Sequence, residues 1–309
     1  KANSLLRVEA NRPGNLLNNT SPPAIGDIQI SGPGSLQVIA GRNIDLGTGG
    51  NNADGTGAGI TSIGNTRNPY LPSQGADLII GSGIATPSSL AASSLDFTKC
   101  IDQFIDTPEG AEYLKEIDPD LDFGSLAPEQ QATVAAEVFS LILRDAGRNY
   151  AETGNYDTAY AAIDALFGEL GENETRPAGD IFTRSRDIRT ANGGNINILS
   201  PGGGLTLANT TFGNTLSPPG IITASGGNIS IFAQDDVSIG IGRIFTLRGG
   251  NEIIWSTLGN IAAGSSSKTV LSAPPTRVII DPQSAAVQTD LAGLSTGGGI
   301  GVLATVAGI

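Results

Sequence analysis

Three aspartates at alternate positions, Asp118-Pro-Asp120-Leu-Asp122, are followed by Phe123, Gly124 and, further on, Glu129. A calcium loop draws oxygen ligands from its positions 1, 3, 5 and 12, and Asp118, Asp120, Asp122 and Glu129 fall on those positions. The frame is imperfect. The sharp-turn glycine belongs where Phe123 stands, Gly124 comes one residue late, and Pro119 stiffens the start. The plainer reading is a solvated acidic linker whose carboxylates cap the flanking helices. Calcium would be the one metal considered; no other cofactor is expected.

Other chemistry is narrower still. The chain has 0 histidines, so Ser-His-Asp, Cys-His and histidine-containing zinc sites are excluded within it. Cys100 is the sole cysteine, which rules out an internal disulfide; in an apolar helical stretch it reads as a small buried hydrophobe rather than a reactive thiol. Asp235 and Asp236 share a corner near Arg243, and clustered carboxylates beside a cation are what a β-helical polysaccharide lyase or hydrolase needs. Adjacent acids in a turn are more simply solvated, and no enzyme is expected. Gly202-Gly-Gly204 and Gly297-Gly-Gly299 lack the Lys-Ser or Lys-Thr that would make a phosphate loop, and suit tight corners instead. Trp255, the sole tryptophan, covers a coil stack or an insert, with ligand binding as the alternative.

The composition says what must position such groups. Of 309 residues, 39% are hydrophobic and mean hydropathy is +0.02, enough to bury a core. Aromatics are only 5%, methionine is absent and glycine reaches 43, so that core rests on Ile, Leu and Val set among Gly, Asn, Ser and Thr. Such a mixture suits short strands joined by tight turns. A net charge of −13 repels phosphate backbones and argues against nucleic acid as a partner. No run of apolar residues is long enough to span a membrane.

Internal repeats decide the architecture. Gly-Gly-Asn-Ile-Xaa-Ile occurs at 193–198 and 226–231, with a degenerate copy, Gly-Gly-Asn-Glu-Ile-Ile, at 249–254. Weaker echoes are Gly26-Asp-Ile-Gln-Ile30, Gly75-Ala-Asp-Leu-Ile-Ile80, Gly179-Asp-Ile181 and Gly259-Asn-Ile261. Between the second and third copies lie three runs with an aliphatic at alternate positions: Asn228–Phe232, Asp236–Gly240 and Arg243–Leu247. Three strands in that length make one coil of a right-handed parallel β-helix. The wider spacing before it is the same coil with a bulge at Asn209–Pro219. An antiparallel sandwich is the rival, but its hairpin turns are scarce: Asp54-Gly55 is the sole such pair.

The expected fold is therefore mainly β, with β-helix coils over 1–93, an α-helical insertion over 94–172, and coils of the same solenoid over 173–309. Runs at Ile25–Ile30, Ser35–Ile39 and Asn43–Leu46 fit one coil; Gly47–Gly59 reads as a loop, and Ala76–Ile80 as a further strand. Within the insertion, Thr107-Pro-Glu opens one helix with an N-cap. Pro128–Tyr150 is a second, striped by Val134, Val138, Leu141 and Ile142 beside Ala135 and Phe139; Asn155–Leu170 is a third. Ser272–Asp290 reads as an excursion with one strand, Arg277–Ile280. Lys1 opens without a signal peptide and Gly299–Ile309 reads as a strand cut off in stride. The chain is expected to be a section of something longer, or to stack on neighbouring copies.

Several stretches carry a family resemblance: Tyr160–Phe167, Gly179-Asp-Ile181, Ile188-Arg-Thr190 and Gly193–Gly202. More specific are Arg243–Gly250 with Ile254-Trp-Ser256, Gly259-Asn-Ile261 and Ala263-Gly264, continuing through Lys268-Thr269, Ser272–Pro275, Asp290–Gly293 and Thr296–Thr305. The chain resembles a late module of filamentous-haemagglutinin-family exoproteins over about residues 95–309. That resemblance implies a bacterial surface or secreted protein exported by two-partner secretion, with an outer-membrane β-barrel as partner. It implies an adhesin or biofilm protein whose further partners are copies of itself, the rest of its own chain, or a host or matrix glycan or protein. A subunit of an extracellular filament, polymerising end to end, is the alternative, and a polysaccharide-active enzyme the third.

Overall fold

The computed structural model describes residues 28–47, 57–65, 70–71, 73–84, 107–172, 174–208, 219–264, 277–280, 287–290 and 299–303. Cys100, Asp54-Gly55 and the bulge from Asn209 to Pro218 lie outside them. The fold is a parallel β-helix. The first coil is β1 (Ile28–Ile30), β2 (Ser35–Ile39) and β3 (Ile44–Asp45). The second is β4 (Gly57–Ser62), β5 (Asp77–Gly81) and β6 (Ile181–Phe182). Next come β7 (Arg186–Thr190), β8 (Ile196–Ser200) and β9 (Leu205–Ala208), then β10 (Gly220–Thr223), β11 (Ile229–Ala233) and β12 (Val237–Gly240). The fifth coil is β13 (Arg243–Leu247), β14 (Glu252–Ser256) and β15 (Ile261–Ala262), and β18 (Gly299–Leu303) begins another.

Strands one coil apart pair in parallel and build three walls: β1-β4-β7-β10-β13-β18, β2-β5-β8-β11-β14 and β3-β6-β9-β12-β15. Register turns the repeat into interior columns. In the first wall Ile28, Ile60, Ile188, Ile221 and Ile244 stack in line. In the second, Val38, Ile80, Ile198, Ile231 and Ile254 do so. In the third, Ile44, Ile181, Leu205 and Val237 stack the same way. Nearly all of these side chains are buried in one continuous core. β-Branched residues suit these columns because the branch fills the gap between strands about 4.8 Å apart.

The Gly-Gly of the repeat sits at the corner before the second wall. Gly227 and Gly250 have φ of +101° and +113°, and a Cβ on either would strike the carbonyl of the equivalent glycine one coil below, Gly194 or Gly227. Both constraints demand glycine.

The helices interrupt the second coil between β5 and β6. They are α1 (Pro108–Ile117), α2 (Pro128–Thr153) and α3 (Asp157–Phe167). Thr107 caps α1, its Oγ1 accepting from the Gly110 N–H at 3.1 Å. The solenoid passes beneath them undisturbed, since β6 pairs with β3 on one side and β9 on the other.

Two expectations need correcting. The stretch Gly47–Gly59 is not loop to its end: β4 starts at Gly57 and pairs with both β1 and β7. Its Gly-Ala-Gly opening carries no strand pattern, and pairing on both sides overrides that weakness. The excursion after the fifth coil contains β16 (Arg277–Ile280) and also β17 (Val287–Asp290), joined as an antiparallel hairpin.

The degenerate repeat at 249–254 has a physical consequence. By register, Glu252 continues the column Leu36, Leu78, Ile196, Ile229, so a carboxyl group occupies an aliphatic position. It accepts the Thr246 N–H at 2.9 Å. Burial nonetheless raises its carboxyl from 4.5 to about 7. A carboxyl raised on folding stabilises below its unfolded value and loses that contribution as pH climbs toward the folded one. Stability should therefore fall between about pH 4.5 and 7 by about 1–2 kcal/mol after allowing for solvent contact. Urea melts across that range should show a shallower pH slope for Glu252→Gln than for the parent chain; equal slopes would refute the assignment.

Candidate functional site

The most developed polar constellation is the corner that leads into the second wall. Asp77, Asn195, Asn228 and Asn251 stand one above another there. The Asn195 N–H donates to Asp77 Oδ1 at 2.6 Å, the Asn228 N–H to Asn195 Oδ1 at 2.8 Å, and the Asn251 N–H to Asn228 Oδ1 at 2.9 Å. The asparagine of the repeat is thus a rung: its amide oxygen satisfies a corner N–H that the strand ladder cannot reach. A second ladder precedes the third wall. Asn43 Oδ1 accepts from the Asp180 N–H at 2.9 Å, Asp180 Oδ1 from the Gly204 N–H at 2.9 Å, and Asp236 Oδ1 from the Asn260 N–H at 2.6 Å. The weaker sequence echoes therefore divide between two corners, Gly75-Ala-Asp77 at one and Gly179-Asp180 and Gly259-Asn260 at the other.

The helical insert docks on the first of these ladders. Glu137, on α2, accepts the Asn228 Nδ2–H at 3.0 Å through Oε1 and the Asn195 Nδ2–H at 3.4 Å through Oε2. One carboxylate thereby bridges two coils. Burial raises the Glu137 carboxyl above its ordinary value, and the charge of Asp77 adds to that, opposed by the Asn228 amide. Asp77 is likewise raised by burial, while the Asn195 N–H pulls it back.

Beside this polar clamp lies an apolar one. Outward-facing Ile79, Leu199, Phe232 and Trp255 of the second wall share a cluster with Ala135, Val138, Phe139 and Ile142 of α2 and Ile163 and Leu166 of α3. The Phe139 ring meets Phe232 edge-on at 5.7 Å, and Phe167 stacks on Phe232 at 5.4 Å. Trp255 meets Tyr156 edge-on at 5.4 Å, which packs the outer face of β14 against the insert. Helix α2 touches β2, β11 and β14, running along the rod as an external staple. Its outer side is tied to α1 by Arg144, which pairs with Glu116 and Asp145.

The residues singled out for chemistry are placed as follows. Asp118 caps the end of α1 and its Oδ1 accepts the Asp120 N–H at 2.9 Å, a local turn. Asp120 and Asp122 are exposed, and Asp122 precedes a short 3₁₀ turn, Phe123–Ser125. The side chain of Glu129 lies outside the described residues. Among the described residues no three of His, Cys, Asp and Glu gather as a metal ion would require. Asp236 is a corner rung, as above. The acid that faces Arg243 is Asp187, on β7; Asp235 and Asp236 are not the acids beside it. Arg243 lies across Gly220, and the Gly220 N–H donates to Asp187 Oδ1 at 2.8 Å. Gly202, Gly203 and Gly204 are corner residues where a Cβ would strike the backbone of Pro177, Gly179 and Asp236 respectively. Among the described residues no helix is long and apolar enough to cross a membrane.

Sequence reasoning missed Glu137 and Asp77. A signal for Glu137 existed: it lies three residues after Val134 and four before Leu141, a charged group on the apolar stripe.

With the β-helix established as the class, comparison with known proteins adds a narrower likeness. Residues 249–308 match a family model described as filamentous haemagglutinin family outer membrane protein. The match spans β14 to β18 and bears out the resemblance over that stretch. No curated protein and no solved structure matches the chain.

Removing Glu137 should loosen the staple. Glu137→Ala leaves two half-buried amide donors without their carboxylate and should cost about 1–2 kcal/mol in thermal unfolding. A double-mutant cycle with Asn228→Ala should recover part of that loss, and strict additivity would show that the bridge carries no coupling.

Proposed function

We propose that this chain is a rigid section of a bacterial surface exoprotein of the filamentous-haemagglutinin type, a right-handed rod serving adhesion or matrix formation. The observation that carries this reading is the stacked parallel coil architecture joined to the family match at 249–308. A solenoid gains stability from neighbour contacts, so it can be lengthened without redesign and holds ligands away from the cell. On this reading the protein is exported unfolded through an outer-membrane β-barrel partner, and folds coil by coil outside the cell on the bacterial surface. Its function lies in length, stiffness and display rather than catalysis. Residues 1–93 and 173–309 form one solenoid, and 94–172 is a helical subdomain that braces it. Calcium at Asp118, Asp120, Asp122 and Glu129 is a minor part of this reading, tested by whether added calcium raises the unfolding midpoint.

A second reading is a filament subunit that polymerises end to end. Ile261, Ile300 and Val302 occupy interior-column positions yet are 45%, 38% and 50% exposed. A further coil would cover them, supplied by the rest of this chain in a longer rod or by another copy in a filament.

The two readings separate by experiment. Deleting the region from a producing bacterium should reduce attachment or biofilm mass, while purified chain stays monodisperse by light scattering. Unchanged attachment would refute the display rod. Concentration-dependent growth of fibres visible by electron microscopy would favour the filament.

A further inference from the structure

The chain has 5 tyrosines and 1 tryptophan, and four of these six meet at a single seam. Tyr150 comes from the last turn of α2, Tyr156 immediately precedes α3, Tyr160 lies in its first turn, and Trp255 projects from β14. Tyr156 is the hub. Tyr150 stacks on it with ring centroids 4.5 Å apart and planes 16° apart, and Tyr160 and Trp255 meet it edge-on at 6.4 Å and 5.4 Å. The rings are held, since Gly154 at φ +70° closes α2 and the turn is locked where Thr153 Oγ1 donates to the Asn149 carbonyl and the Asp157 N–H donates to Asn155 Oδ1.

Docking the insert explains only half of this cluster. Tyr156 and Trp255 are partly covered and join insert to rod, whereas Tyr150 and Tyr160 remain 45% and 42% exposed. Among the described residues, none of the hydroxyls of Tyr150, Tyr156 and Tyr160 has a hydrogen-bond partner. Fixed aromatic faces edged by unengaged hydroxyls are poor glue and a good surface for one class of ligand. A pyranose ring presents a face of C–H groups, which lies on the electron-rich face of an aromatic ring, while its hydroxyls take hydrogen bonds from groups at the rim. Asn149 and Asn155 stand exposed at that rim. Charge selects within the class. Glu152 and Asp157 are exposed on either side of the turn, and the nearby cation Arg148 lies 3.7 Å from Asp145. The surroundings repel uronates and sulfated sugars.

We propose that the Tyr150–Tyr156–Tyr160–Trp255 seam is a binding platform for neutral polysaccharide, stacking pyranose rings on Tyr150 and Tyr160. The inference deepens the display-rod reading by naming what the rod holds, and it rests on that reading for access to extracellular glycan.

Because Trp255 is the sole tryptophan, its emission reports this seam alone. The full chain is titrated with cellohexaose and chitohexaose, with hexagalacturonate as the anionic comparison, by Trp255 fluorescence and in parallel by calorimetry. At least one neutral hexasaccharide should bind, and hexagalacturonate should not. Tyr150→Ala and Tyr160→Ala should each weaken binding about ten-fold, or about 1.4 kcal/mol. Tyr150→Phe and Tyr160→Phe, which keep the rings, should retain most of it. Circular dichroism and the melting temperature of the alanine variants, measured alongside, confirm that the fold is kept. The proposal is overturned if neither neutral sugar binds, if both alanine variants bind as the parent does, or if hexagalacturonate binds equally well. Should the sugars fail while deletion of the region still reduces attachment, the platform falls and the display rod stands. Should deletion leave attachment unchanged while the sugars bind, the reverse holds.

Discussion

No coil of this protein can bury its own aliphatic face. The short strands of its walls turn mainly Ile, Leu and Val to one side, with Ser or Thr in the first wall, and that side becomes an interior only when the next coil lies in register upon it. Everything else follows from keeping that register. A slip of one residue would turn every column outward, so the corners must be held as firmly as the walls. The asparagine and aspartate ladders do this: each side-chain oxygen takes the backbone N–H of the coil stacked on it, at 2.6–2.9 Å along both corners. Aliphatic columns supply the attraction and the ladders fix the phase.

The helical insert extends the same logic to the outside. A β-helix wall normally faces water with polar side chains, yet the second wall turns Leu199, Phe232 and Trp255 outward. The insert answers with Phe139, Phe167 and Tyr156, and with Glu137 reaching the same asparagines that hold the corner. Bracing and corner fixing therefore share atoms. A disturbance of the staple would be felt by the ladder, and the two amide donors of that ladder offset the burial of a carboxylate in so apolar a seam. The arrangement also leaves an aromatic step at the end of the insert, a surface that the core does not require.

Much of this was legible in the residues. The Gly-Gly-Asn repeat, its 33- and 23-residue spacings and the alternating runs between Asn228 and Leu247 define coils, because a two-residue period and a corner needing positive φ are local properties. The three helices were equally visible from the cap at Thr107 and the stripe on α2. What escaped notice was whatever depends on a partner distant in sequence. β4 has a Gly-Ala-Gly start that says loop, and it is a strand only because β1 and β7 lie on either side. β17 was hidden for a similar reason, since it forms by pairing with β16. Arg243 looked close to Asp235 and Asp236 along the chain, but the turn between walls carries it to Asp187.

The sequence by itself determined the coil: its length, its corners, its aliphatic interior and the place where helices replace strands. These are set by steric and periodic preferences that act over a few residues. Only the tertiary structure decided which echo of the repeat stands at which corner, that Glu252 fills an aliphatic column, and that Glu137 meets Asn195 and Asn228. The same holds for Tyr150, Tyr156, Tyr160 and Trp255, which share one surface. Those relations are distances between segments about twenty to a hundred residues apart, and they exist only once the coils are stacked and the insert is folded back upon them.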